Sequence, residues 1–230
     1  MEFQVITPQD LLGPLNAFEQ KFAPDKLFLA GDASIFKRGP RVSVVGSRKA
    51  SDDGLTRTRQ LCALLIGQGI HIVSGLAEGV DRVAHQTSIQ SGGRTIGVLG
   101  TPLERCYPSV HRDLQLQMMR EQVVISQFPE GMRTQPWHFP QRNRLMALLS
   151  DATVIVEAGD SSGTLSQGWE ALRLGRPLYL MESVVVNRSL KWPEEMLRYG
   201  AQVLSRANLE DLFEHLPTRA HEEPSDALIF

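Results

Sequence analysis

The chain reads as an α/β protein with a Rossmann-like, doubly wound, mainly parallel sheet and helices on both faces. Two observations lead to that class. Short runs rich in valine and isoleucine, such as RVSVVG at 41–46 and ATVIVEA at 152–158, lack polar alternation, as expected of strands covered on both sides. Between them lie helical stretches of about ten residues, and the regular strand–helix alternation is what parallel pairing through crossover helices requires. At 230 residues, 42% of them apolar, the chain is long enough to bury a sizeable core.

The elements follow in order. The spacing predicts a helix over Thr7 to Gln20, with Thr7 as its cap and Pro8 in the first helical position. LFLAGD comes next, then a break at Gly39-Pro40. Strands are expected at 41–46, 71–75, 94–100, 123–127, 152–158 and 177–182, and helices near 54–68, 81–90, 110–120, 141–150 and 165–174. The region around Trp192-Pro193-Glu194-Glu195 and a helix at NLEDLFEHL complete the fold or a dimer face. The expected organisation is a short helical and extended segment over 1–40, the Rossmann-like domain over 41–216, and an acidic tail over 217–230 with an apolar tip.

A formal charge of −2 gives no global positive field toward nucleic acid or anionic lipid, so an anion site must come from local clusters. DNA binding is not excluded by that total. The two cysteines, Cys62 and Cys106, lie far apart without a CxxC or histidine pattern, which argues for a reducing compartment and against structural zinc. Cys62, in an apolar helical run, reads as a small core residue. The N-terminus has no basic segment leading into an apolar run, and no stretch approaches the roughly 20 apolar residues that span a bilayer. A cytoplasmic protein without metal or cofactor is expected.

In doubly wound sheets ligands bind beyond the carboxyl ends of the strands, so the loops there carry the chemistry. The first, GSRKASDDG, fits neither GxGxxG nor a P-loop, but offers Gly46 for close approach, Ser47 as a donor and Arg48 as a forked cation for phosphate. A capped turn with solvated charges is the alternative. The second, SGLAEGVDRVAH, has Gly75 and Gly79, then Asp81 and His85 on one helix face. They invite an acid–base reading, but an Asp81 cap with His85 hydrogen-bonded to it accounts for the pair structurally. Arg94 lies at the amino end of its strand, where that rule places no ligand. In the fourth region Trp137 and Phe139 offer stacking faces or core plugs, ahead of Gln141-Arg142-Asn143-Arg144 in the first turn of a helix. There an anion would relieve the conflict of arginines with the helix dipole. The fifth loop brings Ser161, Ser162, Gly163 and Thr164 to another helix start, a second phosphate cradle.

Taken together, VVGSR (44–48), SGLAEGVDRVAH (74–85), GGRTIGVLG (92–100) with the later YP (107–108), FPQRNRLMALLSDATVIVEA (139–158) and SSGTL (161–165) resemble the DNA processing protein A (DprA/Smf) family, and more distantly the LOG-like nucleotide-binding proteins. The resemblance covers roughly 22–181. It implies single-stranded DNA binding, assistance to a RecA-type recombinase in recombination or natural transformation, and homodimers. DNA contacts are implied at Gly46, Ser47, Arg48, Arg142, Asn143, Arg144, Ser162 and Gly163. Arg94 keeps a cation where the family has lysine. Set against the family, the sequence is expected to depart in having no winged-helix-like extension and no full helical N-terminal domain.

Two functions are therefore expected to compete. One is a non-enzymatic single-stranded DNA binder acting in DNA processing or on foreign DNA. The other is a nucleotide sensor, or a LOG-like phosphoribohydrolase, on the same fold. LOG enzymes are similar in carrying GT-x-x-E, whose glutamate assists cleavage of base from ribose; here that position is Gln167, which cannot exchange a proton near neutral pH. Glu170, one turn on, is the remaining carboxylate. The closing EEPSDALIF resembles partner-docking terminal peptides of bacterial single-stranded DNA-binding proteins, with a strap folded back on the domain as the alternative.

Overall fold

The computed structural model describes residues 3–217, so the expectations for the tail beyond Pro217 lie outside the described residues. The strands are β1 (Gln4–Ile6), β2 (Leu27–Gly31), β3 (Arg41–Gly46), β4 (His71–Ser74), β5 (Thr95–Leu99), β6 (Val123–Ser126), β7 (Ala152–Glu157), β8 (Leu178–Met181) and β9 (Gln202–Leu204). They form one sheet in the order β1-β2-β6-β5-β4-β3-β7-β8-β9. Pairing is antiparallel for β1/β2 and β2/β6 and parallel elsewhere. The α/β, Rossmann-like class holds. Residues ahead of position 41 enter the same sheet, with Gln4 opposite Leu29 and Phe28 opposite Ser126.

The helices are α1 (Pro8–Leu12), α2 (Ala17–Phe22), α3 (Asp52–Gly67), α4 (Val80–Gln90), α5 (Arg112–Glu121), α6 (His138–Leu148), α7 (Thr164–Arg173), α8 (Glu182–Val185), α9 (Trp192–Arg198) and α10 (Leu209–Glu214). Thr7 caps α1 and Pro8 opens it. The single helix expected to Gln20 is two helices, because Gly13 takes φ +79 and Pro14 follows, which ends the first before Asn16 caps the second.

Alternate residues of β3 serve the two faces. Val42 and Val44 pack with Leu61 and Leu65 of α3, while Val45 joins Leu145 and Met146 of α6, all of them buried. Each such side chain contributes about 1.5–3 kcal/mol on leaving water. Cys62 is buried in the α3 layer, and desolvation pushes its thiol far above the usual range, so it is an inert core residue. Trp192 and Met196 of α9 and Leu212 of α10 are buried and close the sheet's β8–β9 end.

The topology places the ligand region. From β3 the chain winds outward through β4, β5 and β6, then returns to lay β7 on the other side of β3 and winds the opposite way to β9. The loops after β3 and β7 therefore diverge to opposite faces, and a crevice opens between them at this switch point.

Candidate nucleic-acid interface

A cleft of about 550 Å³ occupies that crevice, between the loop after β3, the α7 entry and one side of α6. Gly46 ends β3 where a Cβ would come within 2.5 Å of Val80 Cγ2 and 2.9 Å of the Glu157 carbonyl, so only glycine lets the strands and α4 meet. Beyond it the Ser47 N–H donates to the Glu157 carbonyl at 2.7 Å. The Glu157 carboxylate, at the end of β7, accepts from the Ser51 N–H at 2.8 Å and the Ser51 hydroxyl at 2.6 Å. These bonds fix the loop so that Arg48 and Lys49, both exposed, stand at the cleft; neither makes an ion pair among the described residues.

The floor is a buried pair. Asp81 on α4 and Arg142 on α6 are 5% and 6% exposed, with Arg142 Nη1 4.0 Å from Asp81 Oδ2 and donating to the Val98 carbonyl at 3.2 Å. Asp81 accepts the Gly75 N–H at 3.2 Å. A Cβ on Gly75 would lie 1.4 Å from Arg142 Nη1, so the guanidinium takes this position against a glycine and any larger residue would displace it. Burial raises the Asp81 carboxyl pKa against the pull of Arg142, and lowers that of Arg142 against the pull of Asp81. Among the described residues Arg142 Nε has no hydrogen-bond partner, and the side chain lines the cleft.

The sequence predicts Arg142 and Asn143 in the first helical turn. The structure corrects this: α6 begins at His138, with Pro140 in its first turn, where a missing N–H is tolerated. Arg142 thus lies in the second turn, held by Asp81 and not by the dipole. Asp81 and His85 are not partners either. His85 Nδ1 is 2.7 Å from the Thr95 hydroxyl, and burial holds its pKa down at about 3, a neutral core histidine unfit for acid–base work near neutrality.

The opposite wall is the α7 entry. Thr164 Oγ1 donates to the Gly46 carbonyl at 2.9 Å, and Asn143 Nδ2 donates to the Gly163 carbonyl at 3.1 Å and the Ser166 hydroxyl at 3.3 Å. These residues tie three elements together, leaving Ser161, Ser162 and Gly163 to face the cleft. A Cβ on Gly163 would meet nothing within 4 Å, so the space in front of it is open. Gln167 lines the cleft at 1% exposure; with its amide turned to suit its neighbours, its oxygen accepts from the Ala147 N–H at 3.3 Å and its nitrogen donates to the Asn143 carbonyl. It pins α7 to α6. Glu170 is clamped by Arg144 at 3.2 Å and Arg173 at 2.8 Å and does not line the cleft.

Phe139 is half-buried and closes one side, stacked over Gly100, where a Cβ would lie 2.7 Å from its ring. Arg48 lies 5.9 Å from the Phe139 ring centre, and Tyr107 5.3 Å on another side. Trp137 is 59% exposed, so it is a surface face and no core plug.

A family model described as DNA recombination-mediator protein A matches residues 4–217. The chain belongs to that family. It is 33% identical over 196 residues to DNA processing protein DprA of Bacillus subtilis, covering 85% of this chain and 65% of that protein. It is also 33% identical to Protein Smf of a Synechocystis strain, covering 89% and 52%. The chain thus spans about half to two thirds of the length of these curated relatives. Among solved structures, DprA of Streptococcus pneumoniae superposes with a TM-score of 0.79 at 28% identity, covering 94% of this chain and 75% of that one. DNA processing protein A of Helicobacter pylori, solved for its single-stranded DNA binding mode, superposes at 0.77 with 24% identity, covering 94% and 98%. A molybdenum cofactor binding protein of Rippkaea orientalis shares the fold at 0.56 and 22% identity.

Within this DprA-type chain the structure brings Gly46, Ser47, Arg48, Arg142, Asn143, Ser162, Gly163 and Thr164 to one cleft, and Gly75 to a smaller cleft contiguous with it. It does not bring the other two arginines there. Arg144 turns to Glu170 and stacks 5.0 Å over Phe22, and Arg94 lies exposed at the amino end of β5, 3.4 Å from the Glu121 carbonyl. Sequence reasoning missed Lys49, legible as the cation next to Arg48, and the loop-holding carboxylate of Glu157, whose partner is remote in sequence.

Proposed function

We propose that the cleft binds single-stranded DNA and that the chain is a non-enzymatic DNA processing protein. The observation that carries this is Arg142: an arginine 6% exposed, loosely paired, with Nε unpartnered, opening into the cleft beside two exposed cations. A buried unsatisfied donor of that kind costs free energy that an anionic ligand returns. Hydroxyls and the start of α7 supply further donors for phosphate, and Phe139 supplies a face for a base. Family membership supports the same ligand, as does the single-stranded DNA binding of the Helicobacter pylori protein. Base hydrolysis is disfavoured, because Gln167 is a packing amide and Glu170 is held outside the cleft by two arginines.

In this reading residues 41–216 are the DNA-handling unit, which self-associates as a homodimer, works in the cytoplasm, and passes DNA to a RecA-type recombinase during recombination or transformation. Ser47, Arg48, Arg142, Ser162 and Gly163 contact the strand, Gly46 and Gly75 shape the cleft, and Asn143 and Thr164 hold its walls. Fluorescence anisotropy with labelled oligothymidylate tests it. Binding weakens as salt rises, and Arg48→Ala reduces the salt slope by about 0.7 for one lost phosphate contact. Absence of binding at low salt sinks the proposal.

A further inference from the structure

Beside the main cleft lies a smaller one of about 110 Å³, which shares Arg48, Ala77, Phe139 and Arg142 with it and adds Gly75, Glu78, Tyr107 and Pro108. A carboxylate is unexpected next to two arginines at the edge of a phosphate site. Glu78 is exposed and makes no ion pair among the described residues, so it is not spent on neutralising Arg48. Its position is fixed by the turn that carries it. Gly79 takes φ +72, and a Cβ there would meet the Ser47 carbonyl at 2.2 Å, while the Val80 N–H donates to that same carbonyl at 3.3 Å. The Glu78 turn is therefore packed on the Ser47-Arg48 backbone.

We infer that the smaller cleft is a base-reading pocket in which Glu78 accepts the Watson–Crick edge of guanine. This rests on the single-stranded DNA reading of the main cleft. A carboxylate repels phosphate, which assigns phosphate to the Lys49 and Ser162 side, with Arg48 and Arg142 between the two clefts, and leaves the aromatic side to a base. Tyr107 and Phe139, 5.3 Å apart, supply the apolar wall. An ionised carboxylate only accepts hydrogen bonds, through two oxygens. Guanine offers two adjacent donors, the ring N1–H and the exocyclic N2–H, which match that pair. Adenine and cytosine offer one amino group next to a ring acceptor, and thymine sets one N–H between two carbonyls that the carboxylate repels.

The test is competition anisotropy with the full chain, using oligothymidylate of about twelve nucleotides, within the range of single-strand sites, and the same strand with one central deoxyguanosine, deoxyinosine or deoxycytidine. The deoxyguanosine strand is expected to bind about fivefold more tightly than plain oligothymidylate, the low end for a bidentate contact at an open rim. Deoxyinosine, without the 2-amino group, loses most of that gain. In Glu78→Gln the preference disappears, and plain oligothymidylate binds at least as well as to the natural chain. Equal binding of the guanine and thymine strands, or a guanine preference that survives Glu78→Gln, overturns the pocket while leaving the DNA reading intact. Absence of binding by any strand at low salt overturns both.

Discussion

Two arginine–aspartate pairs are buried at opposite ends of the central strands, and they are built for different work. At the amino end Arg41 and Asp151, with side chains 3% and 6% exposed, are in direct contact, and Arg41 Nη1 also donates to the Phe36 carbonyl at 3.4 Å. Arg41 Nη2 lies 3.0 Å from Asp151 Oδ1, the Arg41 N–H donates to Oδ2 at 2.8 Å, and the Asp151 N–H donates to the Arg41 carbonyl at 2.8 Å. At the carboxyl end Arg142 and Asp81 are equally deep but stand 4.0 Å apart, and each also bonds to backbone, at the Val98 carbonyl of β5 and the Gly75 N–H. Burial alone does not distinguish a structural ion pair from a binding one. Separation and place do, because a pair standing 4.0 Å apart in the lining of a cleft still gains from a ligand there.

Breaking the closed pair gives the largest expected effect. Asp151→Asn or Arg41→Met leaves one buried charge uncompensated and lowers unfolding free energy by about 3–5 kcal/mol, read from denaturant midpoints. The DNA affinity of the folded fraction stays unchanged, and a loss of affinity comparable to that of an Arg142 variant would abolish the distinction between the two ends.

His85, one turn along α4 from Asp81, gives the next. Its folded pKa of about 3 lies below the ordinary value of 6.5, so the unfolded chain takes up a proton that the folded chain refuses. Its contribution to stability is therefore complete above pH 6.5 and is lost progressively as pH falls toward 3. Melting temperatures measured across that window decline on acidification, and His85→Gln removes this part of the slope. An unchanged slope in the variant means that His85 is protonated in the folded state.

How much of this was legible in the sequence depends on the range of the interaction. The strands at 41–46, 71–75 and 152–158 could be read directly, because unbroken Val and Ile runs report burial on both faces, which is local information. The cleft-lining residues around Arg48 and Ser162 were legible because loop position follows from strand order. The start of α6 was not: Pro140 suggests an entry just before Gln141, yet proline is equally at home as the third residue of a first turn whose N–H groups have no helical partners. That shift of three residues hid the Asp81–Arg142 pair, joined across 61 sequence positions that no local pattern spans. The same holds for Arg144, which reads as a cleft residue until Glu170 and Phe22 are seen to occupy it.

The open pair is tested by function. Arg142→Gln keeps polarity and much of the volume but removes the cation, and is expected to weaken oligothymidylate binding by about 1.5–3 kcal/mol, tenfold or more. The variant's melting temperature, measured in parallel, separates this from collapse of the floor. Affinity within twofold of the natural chain would show that Arg142 is as structural as Arg41.

Arg94 supplies the smallest effect and the sharpest control on location. It is a cation of the same kind as Arg48, exposed and free to meet phosphate, but it sits at the amino end of β5, near Glu121, with the whole sheet between it and the cleft. If affinity came from any exposed arginine, Arg94→Ala and Arg48→Ala would weaken binding alike. If it comes from the switch point, Arg94→Ala stays within twofold of the natural chain, and its stability within about 0.5 kcal/mol as for other surface positions. A drop like that of Arg48→Ala would mean that the strand leaves the cleft and crosses the sheet edge, and that the amino end belongs to the interface after all.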